Sequence, residues 1–254
     1  MRARFIKTLA ASAVLLVANA TVIGTAIGQT VVFSSDLNSA IPAEVTPGAA
    51  FLTGVQGYAG LGPSTSQFGG SFLRSPTGNV VTLSLTSLPA HNAITLDFLF
   101  AAIDSLDGSG SFPQGDYFKI TLDGVPIFRE SFANALPDQV QSYIPPPGVE
   151  LARLADLGFT PPYPNYLDSA YYLGADPTFR DIVHSASTAT FTFEFEGPGI
   201  QGLDDESWAM DNLRVSVSAV PEPTSVAMLL LGLVAVGSIA RRAARRDKGA
   251  AGKP

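Results

Sequence analysis

The sequence predicts an all-β fold, an antiparallel β-sandwich set between two terminal targeting segments. Three observations predict it. Apolar and polar residues alternate along several short stretches, the period of a half-buried strand. The 254 residues include 24 Gly and 19 Pro and only 15% charged residues, a composition that suits strands and turns and excludes a long helical bundle or a coiled coil. An Asp-Gly pair, Asp123-Gly124, stands between two strand-like runs, which is a strong hairpin signal. With residues 1–28 and those after Val220 set aside, about 190 residues remain, enough to fill one core.

The elements follow in order. Residues 31–35 and 68–74 are the weaker strand candidates. Residues 80–86 (VVTLSLT) alternate, and 93–103 (AITLDFLFAAI) are apolar and aromatic enough for a central strand. Residues 116–122 (DYFKITL) and 125–131 (VPIFRES) flank the Asp-Gly turn. Residues 189–196 (ATFTFEFE) place Phe191, Phe193 and Phe195 on one face, and 207–217 (SWAMDNLRVSV) close the domain. Alternation predicts an inward set of Phe98, Phe100, Phe118, Ile120, Phe191, Phe193, Phe195, Leu213 and Val215. No repeat of fixed period is present. Residues 133–188 read as a long loop insertion, with PPPG at 145–148, a short helix over 149–157 and the run FTPPYPNY at 159–166. A connection of that length is usually functional or poorly ordered. Its Tyr163, Tyr166, Tyr171 and Tyr172 offer flat faces for sugars or simply pack the loop down.

Charge is uneven. Three of the 15 Lys and Arg lie in the first seven residues and six lie after Ala240. Between Gln29 and Val220 there are six basic residues against 20 acidic ones, a net of −14. Such a surface excludes nucleic acid, which needs Lys and Arg against its phosphates, and suits cations or cationic partners. Without cysteine there is no disulfide, thiolate metal site or thiol nucleophile.

The two ends are targeting segments. Arg2, Arg4 and Lys7 precede an apolar run from Leu9 to Ile23, the pattern of a secretory signal peptide over 1–28. Ala18-Asn19-Ala20 and Ala26-Ile27-Gly28 are both open as cleavage points. At the other end, Pro221-Glu222-Pro223 precedes an uncharged stretch over 224–240, then Arg241, Arg242, Arg245 and Arg246, then a loose tail over 247–254. The uncharged stretch is at the short limit for a transmembrane helix, and the arginines resist translocation, which leaves the globular part exported. The prolines cannot continue the helix upward, so an extended stub stands at the membrane surface.

This order of parts resembles the PEP-CTERM sorting signal of exported bacterial proteins. The resemblance rests on Pro221, Glu222, Pro223, the span with Gly232 and Gly237, and the four arginines. It implies recognition by a membrane-embedded exosortase-type enzyme, which removes or transfers the tail, in hosts that make exopolysaccharide. Three further pieces, LDFLFAAIDSLDG at 96–108, GDYFKITLDGVPIF at 115–128 and DDESWAMDNLRVSV at 204–217, resemble a jelly-roll module of extracellular proteins. That resemblance implies a sandwich of lectin or carbohydrate-binding type.

Two chemistries are open within the domain. Asp104 and Asp107 border a Gly turn after a central strand, and Asp205 and Asp211 lie in the last strand region. If the ends of these strands meet, the four carboxylates would share one calcium ion, which takes six to eight oxygen ligands. Otherwise they are turn acids and caps. Glu194 and Glu196 lie two apart on one strand and so on one face, near the spacing of a retaining glycosidase pair. They are more simply the wet face of a strand whose Phe face is buried. His91 and His184, without fixed spacing, make no zinc site, and there is no Gly-x-Ser-x-Gly elbow. The expectation is a non-catalytic sandwich sorted to the cell surface or exopolysaccharide matrix, transiently anchored in the inner membrane, with glycan and calcium as ligands. The alternative is a secreted carbohydrate-active hydrolase.

Overall fold

A computed structural model describes residues 28–109, 115–134, 139–159, 166–219, 229–239 and 241. Thirteen strands form two antiparallel sheets. They are β1 (Gln29–Ser35), β2 (Val45–Thr46), β3 (Phe51–Gly54), β4 (Ser71–Pro76), β5 (Val80–Leu85), β6 (His91–Asp104), β7 (Tyr117–Leu122), β8 (Val125–Ser131), β9 (Glu150–Ala155), β10 (Asp168–Tyr172), β11 (Ile182–Val183), β12 (Ala189–Glu196) and β13 (Glu206–Ala219). The larger sheet runs β3-β4-β13-β6-β10-β9, with β1 also on β13 and β11 also on β6. The smaller runs β2-β5-β12-β7-β8.

The sandwich closes over the predicted inward set. All nine predicted core residues are buried and belong to one cluster between the sheets. Phe98 of β6 meets Phe193 of β12 edge-on at 5.7 Å, and Phe100 stacks on Phe118 of β7 at 4.5 Å. Burial of each such ring stabilises the fold by about 1.5–3 kcal/mol. Strand β12 alternates buried and half-buried along its whole length, with Phe191, Phe193 and Phe195 inward. The Asp123-Gly124 turn joins β7 to β8 with positive φ at both residues, 51° and 79°, as a two-residue hairpin turn of right-handed twist requires.

Two features differ from the sequence reading. Residues 149–157 are not helical: Glu150–Ala155 is β9, an edge strand paired with β10. Its residues are all exposed or half-buried, so it has no apolar alternation to announce it, and pairing with β10 decides its conformation. The stretch 133–188 contributes β9, β10 and β11 to the larger sheet as well as loops. Tyr171 within it is fully buried and packs against Phe132 at 5.1 Å, so it serves packing rather than stacking on sugars. Tyr163 lies outside the described residues. The reason 93–103 reads as one apolar run also becomes plain. Phe98 and Phe100 face the other sheet, while Leu99, Ala101 and Ile103 face a second cluster with Tyr58, Phe68 and Phe72. From Phe98 to Asp104, strand β6 is therefore covered on both sides.

After β13 the described chain is helical over 229–239, with exposed leucines and valines. Among the described residues no helix is long and apolar enough to cross a membrane. Residues 224–228 and 240 of the predicted span lie outside them, as do Pro221, Glu222, Pro223, Arg242, Arg245, Arg246, the tail 247–254 and all of the predicted signal peptide except Gly28.

Candidate functional site

One end of the sandwich collects carboxylates from both sheets. Strand β6 ends at Asp104, whose φ of 64° turns the chain out of the sheet. The loop that follows is held by hydrogen bonds from Ser105 N to the Asp205 carbonyl (2.9 Å) and from Asn134 N to the Leu106 carbonyl (2.8 Å). Asp107 is thereby fixed beside Asp116, which stands directly before β7, and Glu206, which opens β13. One oxygen from each of these three residues lies within 4.8 Å of the others, and all three residues are buried. Gly108 permits the turn: its φ is 73°, and a Cβ there would lie 2.4 Å from the Val140 carbonyl oxygen.

Amides and backbone surround these acids. Gln139 Nε2 donates to Asp107 Oδ1 at 2.7 Å, and the Asp107 backbone N–H donates to Asp116 Oδ2 at 2.7 Å. Gln201 donates its backbone N–H to Glu206 Oε2 at 2.8 Å, and its side chain reaches Asp107 and Glu206. No N–H of the described residues reaches Asp116 Oδ1, and the side chain beside it is the Glu206 carboxyl. Burial, and then Asp116 beside it, push the Glu206 carboxyl up to about 9. Burial likewise raises Asp107 and Asp116.

The four sequence-predicted ligands divide differently. Among them, only Asp107 belongs to this group, and the ligand atoms of no three of the four come together. Asp104 faces Arg74, at 3.4 Å, while its backbone N–H donates to Asp168 Oδ1 at 3.1 Å. Burial first, and Asp168 second, raise Asp104 to about 8. Asp205 accepts from Ser105 Oγ at 3.0 Å. Asp211 lies farther along β13 and serves the backbone: its oxygens accept from Gly69 N (3.2 Å) and Asn212 N (2.7 Å). There the register of β13 slips and Asn212 has a φ of 51°, a conformation Asn tolerates. The expected convergence of Asp104, Asp107, Asp205 and Asp211 does not occur, because they lie on different turns and strand positions; the carboxylates that come together are those of Asp107, Asp116 and Glu206. Parity carried the missed signal for Glu206, because it shares a strand face with Trp208 and Met210, both wholly buried. Asp116 had no comparable signal, since it precedes its strand.

The other predicted pair, Glu194 and Glu196, points outward from β12 as expected. Lys119 forms ion pairs with both, and Arg129 Nε donates to Glu196 at 2.8 Å. These cations hold Glu196 down to about 2. It stays ionised and is unsuited to donate a proton to a leaving group, a task that needs a raised carboxyl.

The outer face of the larger sheet carries a polar trough. Ser34, Arg214 and Asp97 form one row across β1, β13 and β6, and Ser216 and Thr95 form the next. Two adjoining clefts of about 210 and 180 Å³ share Asp97 and Arg214. Arg180 walls one side, and Tyr172 donates to Asp97 at 3.1 Å.

Residues 219–246 match the model of the PEP-CTERM protein-sorting motif. The chain carries a PEP-CTERM sorting signal. It begins at Ala219, the last residue of β13, and its Pro-Glu-Pro triplet, apolar stretch and arginines are those singled out in the sequence. The signal implies an exported protein associated with the cell envelope and processed by an exosortase. No curated protein matches the chain. Among solved structures, the chain is similar to the tandem CBM22 domains of Xyn10C from Paenibacillus barcinonensis, with 14% identity, 78% of this chain and 48% of that chain covered, and a TM-score of 0.35. It is also similar to the catalytic domain of a GH87 alpha-1,3-glucanase in complex with tetrasaccharides, with 13% identity, 72% and 27% covered, and a TM-score of 0.30. The chain thus spans less than half the length of either, and at these values nothing about a ligand carries over.

Proposed function

We propose that the exported domain is a non-catalytic module of the cell surface or exopolysaccharide matrix, delivered there by exosortase and in contact with glycan. The observation that carries this reading is the sorting signal starting on the last residue of β13. The sandwich is then the cargo itself, held against the membrane until the signal is processed. The transient anchor is the apolar stretch 224–240, with Arg241, Arg242, Arg245 and Arg246 retained on the cytoplasmic side. A glycan contact is supported by the trough on the larger sheet, where Asp97, Arg214, Ser34, Thr95 and Ser216 alternate acceptors and donors at the spacing of neighbouring strands. Sugar hydroxyls, each both donor and acceptor, suit such a row. The non-catalytic reading is supported by the acids themselves. Glu194 and Glu196 are tied to Lys119 and Arg129, and Asp107, Asp116 and Glu206 are buried beyond the reach of a polysaccharide.

Mass spectrometry of the mature protein tests the sorting. The expected form lacks residues 241–254 in a host with intact exosortase, and a mature form that keeps them overturns the reading. Co-sedimentation with the host's exopolysaccharide tests the contact. Binding should occur without release of reducing sugar and should weaken at least tenfold in Asp97→Asn combined with Arg214→Gln. Sugar release that disappears in Glu194→Gln or Glu196→Gln would instead establish the hydrolase.

A further inference from the structure

We propose that Asp107, Asp116 and Glu206 together bind one hard divalent cation, calcium by preference, and that the ion clamps the two sheets at this end of the sandwich. Two independent observations lead there. The first is geometric. One oxygen from each residue lies within 4.8 Å of the other two, and oxygens on opposite sides of a Ca²⁺ ion are about 4.6–5.2 Å apart. All three therefore fit in one coordination sphere. The second is an acceptor without a donor. Asp116 is fully buried, yet no N–H or O–H of the described residues donates to its Oδ1, and its side-chain neighbour is a second acid, Glu206. A buried acceptor normally has a donor, and leaving it without one is costly.

Among the described residues, no Lys, Arg or His forms an ion pair with any of the three. The nearby Arg74 is committed to Asp104 and Ser207. What the three acids receive are uncharged donors from Gln139, Gln201 and backbone. These donors orient the carboxylates without neutralising them. A proton shared between Glu206 and Asp116 would satisfy one contact and leave the third acid as it was; a divalent ion satisfies all three.

The ligands also come from three separate places in the fold, tied otherwise by hydrogen bonds such as Asp107 N–H to Asp116 and the Gln201 amide to Asp107 and Glu206. Asp107 follows β6 and Glu206 opens β13, both in the larger sheet, whereas Asp116 leads into β7 of the smaller sheet. An ion here joins the sheets at their rim as the Phe cluster joins them at the centre. Three carboxylates with neutral donors around them suit the weak range, roughly 10⁻⁴–10⁻³ M, of extracellular calcium modules. This site is independent of the sorting and glycan readings.

The test uses the full chain in detergent, melted in chelator, in CaCl₂ and in MgCl₂. At a hundredfold excess over Kd, calcium should raise the melting temperature by roughly 5–10 °C, and magnesium by less. Asp116→Asn and Glu206→Gln should each abolish the rise, while Asp104→Asn, outside the group, should keep it. Terbium serves as a direct probe, because Trp208, the only tryptophan, lies on the same face of β13 as Glu206. Terbium luminescence excited through Trp208 should appear and be displaced by calcium. This readout needs only the parent protein, so it stands even if a variant does not fold. Equal melting in chelator and calcium, absence of Trp-excited terbium emission, or a rise that survives in Asp116→Asn would each overturn the proposal.

Discussion

Glu206 and Glu196 are the same residue type, both on long central strands, and their surroundings drive them in opposite directions. Glu196 sits on the outer face of β12, half-exposed, with Lys119 and Arg129 on its oxygens, and is held down to about 2. Glu206 sits at the inner rim, wholly buried with Asp116 beside it, and is pushed up to about 9. The difference is one of parity. Glu194 and Glu196 alternate with the buried Phe193 and Phe195, so they emerge into water, where cations from the neighbouring strands meet them. Glu206 keeps step with Trp208 and is carried inward, where desolvation disfavours its charge. A carboxylate on the outer face needs nothing further, while one at the inner rim needs a proton or a cation.

The largest expected effect lies in the core that sets this parity. Phe193→Ala should cost about 3–5 kcal/mol in urea denaturation, whereas a change at its outward neighbour Glu194 should cost under about 1 kcal/mol. Similar costs at the two positions would break the inward and outward assignment of β12.

Next comes Arg74, the cation at the rim. Arg74→Met removes the one ion-pair partner of buried Asp104 among the described residues; above about pH 8, where Asp104 is ionised, stability should fall by about 3 kcal/mol, and at neutral pH by less. No change would mean that Asp104 is neutral in the folded domain whether or not Arg74 is present.

The rim acids then sharpen the comparison through pH. Glu206 and Asp104 are raised above their unfolded values, so each binds its proton more tightly when folded. Their contribution is full below the ordinary carboxylate range and is lost as pH rises through about 8–9. In chelator the melting temperature should therefore fall between about pH 6 and pH 9, and Glu206→Gln, which cannot ionise, should flatten the fall. A flat parent profile would contradict the burial of these groups.

Glu196 gives the smallest effect, with the opposite sign. Its folded value is lowered, so its contribution is present above the ordinary carboxylate range and is lost as pH falls toward about 2. Glu196→Gln should cost about 0.2–1 kcal/mol at neutral pH and less in high salt, as an exposed pair does. A loss as large as that for Arg74→Met would remove the distinction between the two regions.

Local pattern was enough for much of this molecule. Alternation over 189–196 and 116–122 fixed which residues face inward, because a strand's side chains switch sides at every residue whatever it pairs with. Asp123-Gly124 determined a hairpin, because only residues that accept positive φ close a two-residue turn. The PEP-CTERM signal is a linear address, legible as Pro221-Glu222-Pro223, an apolar stretch and arginines in order. Tertiary structure decided the rest. Residues 150–155 are a strand because β10 pairs with them, though their own pattern does not announce it. Asp211 holds a bulge because Gly69 and Asn212 present their N–H groups to it. Asp116 meets Asp107 and Glu206 because two sheets end at the same rim. Strand periodicity says which face a residue takes, but a cluster of three acids depends on where strands from different sheets stop. That position is set by packing between the sheets, which no single segment of sequence contains.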